Sequence, residues 1–105
     1  MHRGEVWTLR DERYASKARP VVVVQSDQVS FDSVVVCLFT TFDSSTVSTR
    51  ILIPAAQGNG LTKDSYVMTE KLASISSDEL GSRIGVLTKE QMSEVARGIR
   101  QVLAL

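Results

Sequence analysis

The chain has 105 residues, 12 Lys and Arg balanced by 12 Asp and Glu, one histidine and one cysteine. This length supports one domain over residues 1–105, and 43% apolar side chains suffice for an ordinary core. One cysteine excludes an intramolecular disulfide, one histidine excludes a multi-histidine metal cage, and a formal charge of zero excludes nucleic-acid binding by bulk attraction alone.

The charged start Met1-His2-Arg3-Gly4-Glu5 is unlike an export signal. The longest apolar runs, Val21 to Val24 and Val34 to Phe39, are strand-sized, well short of the ~20 residues of a membrane helix. The expectation is a reduced, cytoplasmic protein without a membrane partner.

In chain order, Glu5 to Leu9 alternates in polarity and predicts a half-buried first strand. Pro20 opens the run Val21 to Val24, whose β-branched side chains suit a buried pleated surface. A proline without an N–H fits at the start or edge of a strand. Val34 to Thr41 predicts a third strand, Ser48 to Pro54 a fourth, Ser65 to Thr69 a fifth and Ile84 to Leu87 a short last one. Gly58-Asn59-Gly60 marks a tight turn of residues that tolerate positive φ. Ser77 to Leu80, before Gly81, predicts a short helical turn with its own cap and stop. The period then changes: Met92, Val95, Ala96, Ile99, Val102 and Leu103 form one apolar helix face, with Thr88 and Gln91 as a capping box. The fold class is therefore mainly β with a C-terminal helix, a small, partly open barrel with the helix packed outside.

Candidate chemistry concentrates between the first two strands. Arg10, Arg13, Lys17 and Arg19 surround Tyr14 there, beside Asp11 and Glu12. Such a segment reads either as a solvated hairpin loop or as a loop that tracks phosphates while Tyr14 stacks on a base. Arg19 directly precedes Pro20, which restricts its backbone at the mouth of a buried strand. Its guanidinium suits either a phosphate clamp or a surface salt bridge. Thr40 and Thr41 end the third strand, where hydroxyls satisfy backbone groups or reach a substrate oxygen. Cys37 lies inside an apolar run and reads as a small buried hydrophobe, and His2 as an incidental terminal residue. No zinc cluster, phosphate-cradling glycine loop or serine elbow is present in the sequence.

Arg3 to Trp7, Ala18-Arg19-Pro20 with the valines after it, and Val34 to Thr41 together resemble the MazF/PemK-type toxins. Ile53-Pro54-Ala55, Gly60 to Ser65, Gly85-Val86-Leu87 and the closing helix fit in order and spacing, so the resemblance covers nearly the whole chain. It implies an SH3-like barrel of the MazF/CcdB/Kid type. It also implies a sequence-specific, ribosome-independent endoribonuclease that cuts single-stranded mRNA as the toxin of a toxin–antitoxin pair. A homodimer would bind RNA in a groove at its interface, and a cognate antitoxin would occupy that groove. The family's arginine falls on Arg19 and its catalytic threonine on Thr40. Two departures stand out. The loop before Arg19 is short, with Ser16-Lys17-Ala18 where the family has a longer stretch, and the family's later Arg-x-Asp reads Met68-Thr69-Glu70.

The implied chemistry needs no cofactor and no metal. The 2′-hydroxyl of RNA attacks the adjacent phosphorus, leaving a 2′,3′-cyclic phosphate and a 5′-hydroxyl. Arg19 would stabilise the phosphoryl charge; Thr40, with Thr41, would position the phosphate or the 2′-hydroxyl. Glu70 is a candidate general base, with a structural salt bridge as its other reading. Arg10, Arg13, Tyr14, Lys17 and Thr41 are candidate RNA contacts. Phe31, Phe42 and Trp7 are spare apolar residues for either a dimer interface or the core. Two other readings stay open: a CcdB-like gyrase poison, for which Ala104-Leu105 offers no evident match, and a non-cleaving RNA-binding copy. Charge is unevenly spread, since residues 1 to 20 carry five cations against three acids while Val21 to Thr41 carries two acids and no cation.

Overall fold

The computed structural model describes residues 1–10 and 19–105. Arg13, Tyr14 and Lys17 therefore lie outside the described residues. Six strands form one antiparallel sheet: β1 (Glu5–Leu9), β2 (Arg19–Val23), β3 (Ser33–Thr40), β4 (Arg50–Ile53), β5 (Ser65–Ser76) and β6 (Leu80–Val86). Their spatial order is β4-β5-β3-β2-β1-β6, followed in sequence by helix α1 (Lys89–Leu103).

The valine run at the centre explains why the sheet is covered on two sides. Val22 and Val24 point into the core shared with α1, packing with Val6, Cys37, Ile53, Val67, Met92 and Val95. Val21 and Val23 point the other way, into a second cluster with Val34, Val36 and Leu80. Strand alternation sends successive side chains to opposite faces, so a continuous run of valines serves both.

β5 extends well past the predicted Thr69 because it bends rather than stops. Leu38 pairs with Met68 but its neighbour Cys37 pairs with Leu72, so the β3 register skips Thr69, Glu70 and Lys71. The bulge interrupts the alternation that a sequence pattern relies on, and it turns the strand to continue along the other half of β3. β6 likewise begins at Leu80, earlier than the predicted Ile84. The short helical turn is present as a 3-10 turn at Ser77–Glu79, capped by the Ser76 side chain. Gly81 does not stop it: it lies inside β6, where an added Cβ would stand 2.7 Å from Thr8 Oγ1.

The sheet does not close on itself; the segment after β4 lies against the free edge of β6 instead. The Val86 N–H donates to the Gly58 carbonyl at 2.9 Å. Gly60 has φ +72°, and a Cβ there would fall 2.2 Å from the Ile84 carbonyl oxygen. The turn is built around buried Asn59, whose Oδ1 accepts from Ala56 N (3.1 Å) and Leu61 N (3.0 Å) while its amide donates to Pro54 O (2.9 Å).

Helix α1 starts at the predicted capping box, with Thr88 and Gln91 exchanging side-chain and backbone hydrogen bonds. Met92, Val95 and Gly98 are buried against the sheet. Gly98 is required by close approach, since a Cβ would meet Thr69 Cγ2 at 2.8 Å. Val102 and Leu103, predicted on the core face, are exposed instead. Among the described residues, no helix is long and apolar enough to cross a membrane.

Candidate functional site

A cleft of about 940 Å³ opens at the end of the sheet where β2 begins and β3 finishes. β2 contributes Arg19 and Pro20, and β3 with the residue after it contributes Phe39, Thr40 and Thr41. Ser65 and Met68 of β5, the strand paired with β3, line it as well, with Gly60 to Lys63 of the turn segment. Thr8 of β1 and Ile84 of β6 complete the lining.

Strand register brings the two predicted reactive residues together. Val21 pairs with Leu38, and continuing that antiparallel register by two residues sets Arg19 level with Thr40. On its other side Arg19 pairs with Leu9, and Thr40 pairs in turn with Tyr66. Directly paired residues share a sheet face. The sequence supplies this alignment through Pro20, which has no N–H to donate and takes a place near the start of β2.

The Thr40 hydroxyl is oriented by its own chain. Its Oγ1 accepts the Phe42 N–H at 3.1 Å, which leaves the hydroxyl proton to be donated elsewhere. Further hydrogen bonds continue from this point. The Phe42 carbonyl accepts from Ser44 Oγ (3.0 Å), and Ser44 Oγ accepts from Arg50 Nη1 (3.1 Å). Arg50 Nε donates to Glu70 Oε2 at 3.0 Å. That contact with the guanidinium, opposed by partial burial, holds the Glu70 carboxyl below the usual glutamate range. Beside this series, Tyr66 donates to Asp43 Oδ1 (3.1 Å), which also accepts from Ser45 N (2.9 Å).

Of the residues singled out in the sequence, Arg19, Thr40 and Thr41 share the cleft. Glu70 does not line it; it stands on the β5 bulge in an ion pair with Arg50. Arg10 is exposed outside the cleft lining, its N–H donating to the Glu79 carbonyl at 2.6 Å. Cys37 is buried, and burial pushes its thiol up to about 12, so it is not a thiolate at neutral pH. His2 is exposed, its Nδ1 3.7 Å from Asp27. Phe31 and Phe42 are 65% and 77% exposed rather than core residues, while Trp7 is half-buried with its indole N–H on Glu5 at 3.1 Å.

Two functional candidates were missed by sequence reasoning. Lys63 brings a second cation to the cleft lining; its signal was its place just after the Gly58-Asn59-Gly60 turn. Arg50 is the cross-strand partner of Met68. From the neighbouring strand its guanidinium pairs with Glu70, outside the cleft lining.

Residues 2–103 match the family of PemK-like, MazF-like toxins of type II toxin–antitoxin systems. The chain belongs to this family. Across its whole length it is similar to a probable endoribonuclease MazF of Mycolicibacterium smegmatis, 32% identical over 109 residues that span 98% of that protein. The solved structure of the Mycobacterium tuberculosis toxin MazF-mt6 superposes with a TM-score of 0.80, at 26% identity, over 96% of this chain and 97% of that one. A mycobacterial endoribonuclease in complex with its cognate antitoxin shares the fold, with a TM-score of 0.81 at 24% identity over 100% of this chain and 96% of that one. The six-stranded open sheet with its terminal helix is thus the architecture of MazF toxins.

Proposed function

We propose that this MazF-like chain is a metal-independent endoribonuclease that cuts single-stranded mRNA through attack of the substrate's own 2′-hydroxyl, yielding 2′,3′-cyclic phosphate and 5′-hydroxyl ends. The observation that carries this reading is the convergence of Arg19, Thr40 and Thr41 in one cleft from adjacent strands. With the nucleophile built into RNA, the protein need only place the phosphate and neutralise charge as it gathers on the phosphoryl oxygens. Arg19 supplies positive charge there, and removing a donor of this kind costs about 3 kcal/mol of barrier.

Thr40 is neither an acid nor a base of useful strength; its oriented hydroxyl holds the phosphate or the 2′-hydroxyl. Lys63 of the same lining draws the RNA backbone into the cleft. Thr41 in the cleft is a further RNA contact in this reading, and Arg10, Arg13, Tyr14 and Lys17 are RNA contacts by residue type alone. Glu70 serves as a brace for Arg50 rather than as the proton acceptor, because a carboxyl lowered by a guanidinium is a weaker base. A second copy of the chain would double the surface as a homodimer, and a cognate antitoxin would silence it in the cytoplasm by covering the cleft.

The test incubates purified wild-type and Arg19→Ala proteins with a defined RNA, with and without chelator, and maps the ends. Site-specific cyclic-phosphate ends that persist with chelator and vanish in Arg19→Ala support the reading. RNA left intact by the wild type, alongside inhibited gyrase, would establish the CcdB-like alternative instead.

A further inference from the structure

We propose that Phe42 is a nucleobase-stacking platform at the rim of the cleft, gripping the base next to the phosphate held by Thr40; this rests on the RNA-cleaving reading above. Phe42 is 77% exposed, so its phenyl ring is accessible to a bound strand. It follows directly on Thr40 and Thr41, which line the cleft. Two Cα steps separate it from Thr40, at most about 7 Å, so a strand whose phosphate rests on Thr40 brings a neighbouring base within reach of the ring.

The mount of this ring is unusually well specified for a surface loop. The backbone of Phe42 is pinned on both sides, its N–H on Thr40 Oγ1 and its carbonyl on Ser44 Oγ. Ser44 is buried and tied to Arg50, which Glu70 holds in turn. The loop then closes through Val47 N to Ser44 O (2.9 Å) and Arg50 N to Val47 O (3.0 Å). Asp43, the acid beside the ring, has its carboxylate engaged by Ser45 N–H and the Tyr66 hydroxyl. A flat apolar ring on a fixed backbone binds a base with little ordering cost. Every base has a π-face, so the platform adds grip without choosing a sequence.

The experiment compares wild type with Phe42→Ala, Phe42→Leu and Phe42→Trp in two assays: cleavage of a short RNA, and quenching of 2-aminopurine placed in an RNA carrying 2′-deoxyribose at the cut position. All three variants should melt like wild type, since the ring leaves no core. Phe42→Ala is expected to raise KM and weaken binding by about 5- to 150-fold with kcat nearly kept, and to lose the quenching. Phe42→Leu should resemble Phe42→Ala, and Phe42→Trp should restore both signals. Unchanged KM and quenching in Phe42→Ala would overturn the platform while leaving the nuclease reading intact. So would full rescue by Phe42→Leu, or a loss that tracks only with a change of oligomeric state. Wild type that neither cuts nor quenches would overturn both.

Discussion

The strand pair β2 and β3 has two ends built to opposite specifications. At one end, Arg19, Thr40 and Thr41 share an open cleft with Thr62 and Lys63. At the other, the connection from Val24 to Asp32 carries Asp27 and Asp32 and no Lys or Arg. Its polar groups are consumed locally. Gln25 Oε1 accepts from Val35 N (3.1 Å) while its amide donates to Val29 O (3.1 Å), and Asp27 accepts from Arg3 N (2.8 Å). Both ends even show an exposed phenylalanine, Phe42 at the first and Phe31 at the second. The difference lies in how cations are used: Arg19 and Lys63 share one cleft lining, whereas Arg3 at the far end is tied to the connection itself, its N–H on Asp27 and its guanidinium on the Val24 carbonyl.

The largest expected effect breaks this contrast at Arg19. Arg19→Ala should lower kcat by roughly 10²- to 10³-fold in a cleavage assay, whereas Asp27→Asn and Phe31→Ser at the far end should cut like wild type. Equal losses at both ends would abolish the distinction. Next comes Thr40→Val, which keeps the β-branched shape but removes the hydroxyl. It should slow cleavage by about 10- to 100-fold, the value of a lost buried or substrate-facing hydrogen bond, with little change in melting temperature.

Lys63→Ala should act on binding more than chemistry. Removing one phosphate contact reduces the magnitude of the salt slope of log K by about 0.7 for a single strand, measurable by anisotropy from low to moderate salt. The smallest effect concerns Glu70. Its carboxyl titrates below its unfolded value, so its stabilisation is complete above the unfolded glutamate range and is lost as pH falls through the lowered folded value. Glu70→Gln should therefore be less stable than wild type at neutral pH by no more than ~1 kcal/mol. The two denaturation midpoints should converge in acid.

Much of this architecture was legible because local rules and the fold agree. Val21 to Val24 and the Thr88–Gln91 box each say the same thing at the level of propensity and of packing. Arg19 and Thr40 were legible as candidates, through proline restriction and a strand end, but their alignment is a property of register. The second half of β5 was hidden because Thr69-Glu70-Lys71 breaks the alternation at the bulge. Arg50 and Lys63 were hidden for a different reason: isolated cations in polar segments carry no periodic signal, and only the fold sets Lys63 in the cleft lining and Arg50, outside it, beside Glu70. Val102 and Leu103 show the converse, a helical period continuing onto exposed residues.

The central claim is that the nucleophile belongs to the RNA and the cleft only positions and neutralises. Mass-spectrometric mapping of ends from a cut RNA, beside the same RNA with a single 2′-deoxy substitution at the cut, tests it most directly. The account predicts a 2′,3′-cyclic phosphate and a 5′-hydroxyl from the first and no scission of the second. A cut at the deoxy position, or a 5′-phosphate product, would contradict it.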